Sequence, residues 1–177
     1  MRNKVILVDK NDQQVGIMDK LSAHVEKRLH RAFSIFIFNN AGELLLQRRA
    51  LEKYHSGGLW SNTCCSHPMP GELTIDAAHR RLLEEMGFDC PLQEQASLTY
   101  RAELDNGLTE NEFDHIFFGR YDSNPVVNPD EVIDWQWIAP APLLHRIKSQ
   151  SETFTSWIKL IIEQERLVSE FNTNIPD

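Results

Sequence analysis

The stretch NTCCSHPMPGELTIDAAHRRLLEEMG, residues 62–87, carries the pattern that decides the fold. In its second half, Ile75, Ala78, Leu82 and Met86 recur at a 3–4–4 spacing with charges between them. That period predicts a helix over Thr74–Met86, and Gly87 follows as a C-terminal stop. Arg81 and Glu85 stand i, i+4 and share a face with Ala77, while Arg80 and Glu84 occupy the next stripe. Glu84 and Glu85 end the helix and Glu72 precedes it, so the carboxylates form an array of the hardness Mg²⁺ prefers. The ordinary alternative is a solvated helix laced with ion pairs. The first half sets Cys64 and Cys65 beside His67, which leaves open a disulfide, a metal clip, a catalytic thiol or mere packing.

Working outward, the chain has 177 residues, enough for one domain (1–177) with a substantial core. Its net charge of −8 disfavours nonspecific binding to nucleic acid or anionic membrane, although a local basic pocket is compatible with it. No apolar run approaches the roughly 20 residues of a membrane helix, and Val5–Val8 is too short for a signal peptide. A cytoplasmic setting is expected. There a thiol is the default for Cys64, Cys65 and Cys90, and the lack of a CxxC pair argues against a zinc knuckle.

Val5–Val8 reads as a strand. Ala32–Phe38 alternates around β-branched and aromatic residues, Asn39–Gly42 supplies a turn, and Glu43–Arg49 returns, which predicts a hairpin. Leu98–Leu104 and Asn111–Tyr121 read as strands joined by turn chemistry at Asp105-Asn106-Gly107. Val132–Ile138 is a further strand. Pro140 and Pro142 open a helix through Ile147, and Thr153–Phe171 is a long amphipathic helix followed by a frayed end over Asn172–Asp177. The order implies an α/β (α+β) fold with one mixed β-sheet flanked by helices.

His24, His30 and His67, with Glu110 and Glu112 two apart on one strand face, could form a divalent site of mixed hardness suited to zinc or manganese. Spacing alone carries this weakly, because seven histidines allow many such selections. His55, His79, His115 and His145 are read as surface or hydrogen-bonded core residues. A reactive thiol needs a depressed pKa. Cys65 lies two residues from His67 and just ahead of the helix, while burial as a small apolar residue is the plainer fate, above all for Cys64 and Cys90.

Counted from Ser66, the spacing is five residues, Glu72, seven residues, then Arg80-Arg81-Leu82-Leu83-Glu84-Glu85-Met86-Gly87. This resembles the Nudix box, with Ser66 in place of its first glycine and Arg81 in place of an acidic residue. A cation at Arg81 weakens a hydrolytic metal site and suits phosphate oxygens. The joint presence of WSNTCCSHP (residues 60–68), Tyr100-Arg101-Ala102 and Glu110-Asn111-Glu112 resembles the type 1 isopentenyl diphosphate isomerases of that superfamily, in register from about Lys20 to Trp157.

The resemblance implies interconversion of isopentenyl and dimethylallyl diphosphate. It implies a divalent metal (Mn, Zn or Mg) on His24, His30, His67, Glu110 and Glu112. It implies Cys65 as a catalytic group facing Glu112 and Tyr100, with Cys64 as packing. It further implies Mg²⁺ carried with the diphosphate by Glu85 and the Cys65 carbonyl, diphosphate contacts from Lys20, Arg49, Lys53 and Arg81, and Trp157 at the isoprenoid tail. The expected partner is a small isoprenoid diphosphate, and the expected assembly a monomer or weak homodimer. Two readings compete: a Nudix pyrophosphohydrolase of a nucleoside diphosphate derivative, and a metal-stabilised interaction module without activity.

Overall fold

The computed structural model describes residues 3–104 and 107–163. The Asp105-Asn106 part of the expected turn, and the expected helix beyond Glu163 with the Asn172–Asp177 end, lie outside the described residues. Along the chain run β1 (Lys4–Val8), β2 (Gln14–Asp19), α1 (Lys20–Val25), β3 (His30–Phe38), β4 (Leu44–Arg49), β5 (Trp60–Ser61) and β6 (Cys64–Ser66). After them come α2 (Thr74–Met86), β7 (Leu92–Glu103), β8 (Thr109–Arg120), β9 (Val132–Ile138), α3 (Pro140–Ser149) and α4 (Ser156–Glu163).

Strand β3 is central. It reads HRAFSIFIF and buries eight of its nine residues, as a strand covered on both faces must. It pairs in parallel with β8, from His30 opposite Glu112 to Phe38 opposite Arg120. On its other edge it pairs antiparallel with β6, setting Ser34 opposite Cys65. On one face Phe36, Phe38, Ile116 and Phe118 pack with Trp157, Ile158 and Ile161 of α4. On the other, Phe33, Ile35 and Ile37 pack with Ala78, Leu82 and Met86 of α2. The helix over Thr74–Met86 thus lies where its period placed it. Gly87 ends it in the left-handed region (φ 75°), its N–H donating to the Leu83 carbonyl at 3.1 Å.

The expected hairpin forms only at its tip. Asn39 and Gly42 make the turn, but β3 and β4 pair at Phe38–Leu44 and then part. The segment Asn62–Thr63 enters the gap. The Thr63 hydroxyl donates to the Leu45 carbonyl at 2.6 Å and accepts from the Ile37 N–H at 3.0 Å, and the Asn62 amide donates to the Ile35 carbonyl at 3.1 Å. Two buried polar side chains thereby satisfy backbone groups that a simple hairpin would have paired, and β4 turns to β9 and β5 instead. The last helix also starts later than its apolar pattern suggested. A 3₁₀ turn covers Ser151–Thr153, and the Thr155 N–H donates to the Trp60 carbonyl at 2.9 Å, so helix begins at Ser156.

Two elements that hydrophobic period did not announce, β2 and α1, matter for the site. Asp19 caps α1, accepting from the Ser22 N–H at 3.1 Å. The cap fixes a helix of six residues on which Lys20 and His24 are one turn apart.

Candidate active site

The registers of β3, β6, β7 and β8 bring the chemistry-bearing side chains to one face of the sheet. His30 sits beside Glu112, Tyr100 on β7 stands opposite Glu112, and Ala102 stands opposite Glu110. His67 follows β6, and α1 delivers His24. The ligand-competent atoms of His24, His30, His67 and Glu112 all lie within 4.8 Å of one another. Glu112 Oε1 is 2.8 Å from His67 Nε2 and 3.4 Å from His30 Nε2. Glu112 Oε2 accepts from the Tyr100 hydroxyl at 2.6 Å, and that hydroxyl is also 3.1 Å from Glu110 Oε2. Glu110 belongs to a second set, with His24 and His55. His55, which sequence reading left among the ordinary histidines, is therefore part of the cluster.

A divalent cation fits this donor set. The Nε2 of His24 and the Nδ1 of His67 are buried without a hydrogen-bond partner, and His30 Nε2 makes none either, although it lies 3.4 Å from Glu112; such atoms are rare unless a ligand or ion accounts for them. His24 Nδ1 is engaged by the Lys20 carbonyl at 2.7 Å and His30 Nδ1 by the Arg28 carbonyl at 2.8 Å, which turns each Nε2 inward. Burial favours the neutral, ligating form of two of the rings: it lowers the His24 pKa, and takes His67 down to about 3 against the pull of Glu112. Burial resists the Glu112 charge, yet His67 and His30 hold its carboxyl well below the usual range. Glu110 is pushed well above it by burial and by Glu112.

Cys65 lines a cavity beside this cluster with Tyr100, Glu112, His55, Arg49 and Trp157. Its sulfur lies 3.7 Å from the Ser61 hydroxyl. The expectation that a reactive thiol has a depressed pKa does not hold here: burial pushes Cys65 up to about 12, although Arg49 opposes it. A thiol so placed keeps its proton at neutral pH. Cys64 is fully buried against α2, as packing requires. Trp157 is fixed by its indole N–H, which donates to the Ser61 hydroxyl at 2.9 Å, and the Arg49 guanidinium lies 5.1 Å from its ring.

A second cavity adjoins the first, sharing Lys20, Ser66 and His67 and adding Lys53, Arg80, Arg81 and Glu131. Burial and the neighbouring Lys53 and Arg49 lower Lys20 to about 8, a measure of how densely positive charge is gathered there. Arg81 donates to Glu84 at 2.7 Å and is paired with Glu85, and it lies 3.2 Å from Glu131, which also pairs with Lys53. Glu85 is buried and accepts from Gln47 at 2.9 Å. Arg80 grips Glu72 through two bonds of 2.7 and 2.8 Å, closing the loop onto the helix. Glu131 was not legible in sequence, since it lies some fifty residues from α2 with no motif around it.

Residues 28–158 match the family described as NUDIX domain. The chain is 51% identical, over 93% of its length, to the isopentenyl-diphosphate Delta-isomerase 2 of Aromatoleum aromaticum, and the match covers 87% of that protein. It is 54% identical, over 89% of its length, to the isopentenyl-diphosphate Delta-isomerase of Pectobacterium atrosepticum, with 88% of that protein covered. Among solved structures, a Deinococcus radiodurans protein superposes with a TM-score of 0.71 at 23% identity, over 82% of this chain and 89% of that one. The MutT protein of Methanosarcina mazei gives 0.63 at 17% identity, over 84% and 96%. At such identities the likeness is one of fold. The chain belongs to the NUDIX family and, within it, to the isopentenyl-diphosphate Delta-isomerase family.

Proposed function

We infer that the chain interconverts isopentenyl and dimethylallyl diphosphate, with Cys65 and the Glu112–Tyr100 pair as the two acid–base groups. One observation carries the assignment of roles. Strands β6 and β8 flank β3 on opposite edges, so Cys65 and Glu112 reach one cavity from two sides. A 1,3-shift of an unactivated double bond needs this. One group adds a proton at one end of the allylic unit while another removes a proton from the far end, and the reverse reaction exchanges the roles. Positive charge develops between them. The indole face of Trp157 attracts it, an effect worth about 2 kcal/mol when desolvated, and the buried walls exclude water that would capture it.

His24, His30, His67, Glu110 and Glu112 are the proposed holders of a divalent cation, Mn, Zn or Mg, which when bound orders Glu112 and stabilises its carboxylate. Lys20, Lys53 and Arg81 in the adjoining cavity, with Arg49 from the first, would hold the diphosphate oxygens, and Glu85 with the Cys65 carbonyl would hold the Mg²⁺ that accompanies them. The reading takes the chain as one domain, since β1 through β9 join a single sheet, acting on a small molecule as a monomer or weak homodimer in the cytoplasm. None of the described helices is long and apolar enough to cross a membrane. The pyrophosphohydrolase alternative has Arg81 against it: a cation stands where the box carries an acidic residue, which leaves the metal-binding array one carboxylate short.

Conversion of isopentenyl diphosphate, followed by proton NMR in deuterated buffer, tests the reading. Double-bond migration with deuterium uptake is expected from the wild type and not from Cys65→Ala or Glu112→Gln. Robust phosphate release from a nucleotide panel, without isomerisation, would overturn it.

A further inference from the structure

The two donor sets of the cluster are not independent. They share His24, whose Nδ1 is held by the Lys20 carbonyl, so its buried and unpartnered Nε2 is the atom both sets must use. One imidazole nitrogen ligates one cation, and two ions cannot fill both sets together.

Tyr100 links the sets from behind. Its hydroxyl lies 2.6 Å from Glu112 Oε2 and 3.1 Å from Glu110 Oε2, which leaves Oε1 of each carboxylate facing the imidazoles. Glu112 Oε1 faces His30 and His67, and Glu110 Oε1 lies 4.0 Å from His55 Nε2. His55 is itself buried, 6% exposed, between the His24 ring (centroids 5.7 Å apart) and the Trp157 ring (5.9 Å). Its Nδ1 faces the Ser56 hydroxyl at 3.3 Å, which turns Nε2 toward Glu110 and His24.

We propose that His55 is a fourth imidazole ligand of one cation, together with His24, His30, His67, Glu110 and Glu112. This rests on the metal centre proposed above and extends it by a residue outside every motif. These six residues would supply both imidazole and carboxylate donors, and so rich an imidazole set would favour zinc, cobalt or manganese over magnesium. A sphere made up of protein donors would leave no open position for water, unlike the metal sites that generate a hydroxide nucleophile. The centre is then a rigid holder of Glu112, in keeping with proton transfer rather than hydrolysis. His55 also joins the metal to the wall that carries Trp157, so a change at the cation is felt in the alkene cavity.

The test loads the full-length protein with Co²⁺ alone. Stoichiometry is measured by elemental analysis, affinity by competition with a chromogenic chelator, and ligand identity by anomalous diffraction from crystals of the loaded protein. One ion per chain is expected, with His55 Nε2 at about 2.0–2.3 Å from it. His55→Gln, which keeps volume and polarity, and His55→Ala should each weaken Co²⁺ binding about 10- to 100-fold and change its visible spectrum. One ion held by the other residues with His55 outside the sphere, or two ions per chain, overturns the His55 assignment and leaves the proposed function standing. No Co²⁺ bound at all overturns the His55 assignment together with the proposed metal centre, whereas the isomerisation assay tests the proposed function by itself. The wild-type anomalous map decides the matter even if either variant fails to fold.

Discussion

Tyr100 and Glu112 face each other across the β7–β8 ladder, and the phenol donates to the carboxylate at 2.6 Å. The ladder register, not sequence proximity, sets this contact. Removing the phenol by Tyr100→Phe leaves the ring in the core and takes away one proton-handling atom. Turnover should fall about 10²-fold or more, with bound metal and thermal stability retained. Steady-state kinetics beside elemental analysis check this, and unchanged turnover would remove Tyr100 from the reaction.

The adjacent cysteines should separate cleanly. Cys65 lines the cavity and Cys64 is buried against α2. Cys65→Ala should abolish isomerisation with the circular dichroism spectrum intact. Cys64→Ala should retain most turnover and lose roughly 1–2 kcal/mol of stability, read from denaturant midpoints. Equal loss of activity in both would show that Cys65 is not the distinct proton-handling thiol.

The Cys65 thiol is pushed up to about 12, so its thiolate fraction is small at neutral pH and grows as pH rises. Alkylation by iodoacetamide, followed peptide by peptide, should climb about tenfold per pH unit through pH 10 with no plateau. An ordinary cysteine, with a pKa near 8.5, levels off earlier. A plateau for Cys65 below pH 9 would contradict the burial argument.

Glu131 neutralises Lys53 and Arg81 in the phosphate cavity. Glu131→Gln removes a negative charge from the wall of that cavity, where an anion's oxygens would meet like-charge repulsion at about 4 Å. At an effective dielectric of 20 such a repulsion is worth up to about 4 kcal/mol, and solvent screening reduces it. Inorganic diphosphate should bind about tenfold tighter to the variant by calorimetry, with a weaker dependence on the neighbouring cations. Weaker binding would show that Glu131 orients those cations rather than competing for them.

Gly87 holds φ at 75°, and a Cβ there would run into the Val126 carbonyl. Gly87→Ala should destabilise the fold by about 2 kcal/mol or more, seen as a lowered melting temperature. An unaltered melting curve would mean that the Val126 loop yields freely.

Much of the fold was legible because local patterns carry it. The 3–4–4 spacing of Ile75 to Met86 and the alternation over Val132–Ile138 depend only on which face each element buries, and both elements lie where they were expected. The Ala32–Arg49 hairpin misled because its turn is real. What splits the strands is Asn62 and Thr63, two polar residues whose partners are backbone groups of β3 and β4. No period in the sequence announces a side chain that replaces a ladder bond.

The sequence by itself determined the family pattern, the helix that carries Arg81 and Glu85, and the residues His24, His30, His67, Cys65, Tyr100, Glu110 and Glu112 as candidates. Only the tertiary structure decided which of them meet. The parallel β3–β8 register brings Glu112 to His30, while Glu110 falls to a second group with His55. It also brought Glu131 to Arg81 and lifted the Cys65 pKa instead of depressing it. The physical reason is that contact distance and desolvation are properties of strands paired far apart in sequence, and neither is encoded in the spacing of residues along one strand or helix.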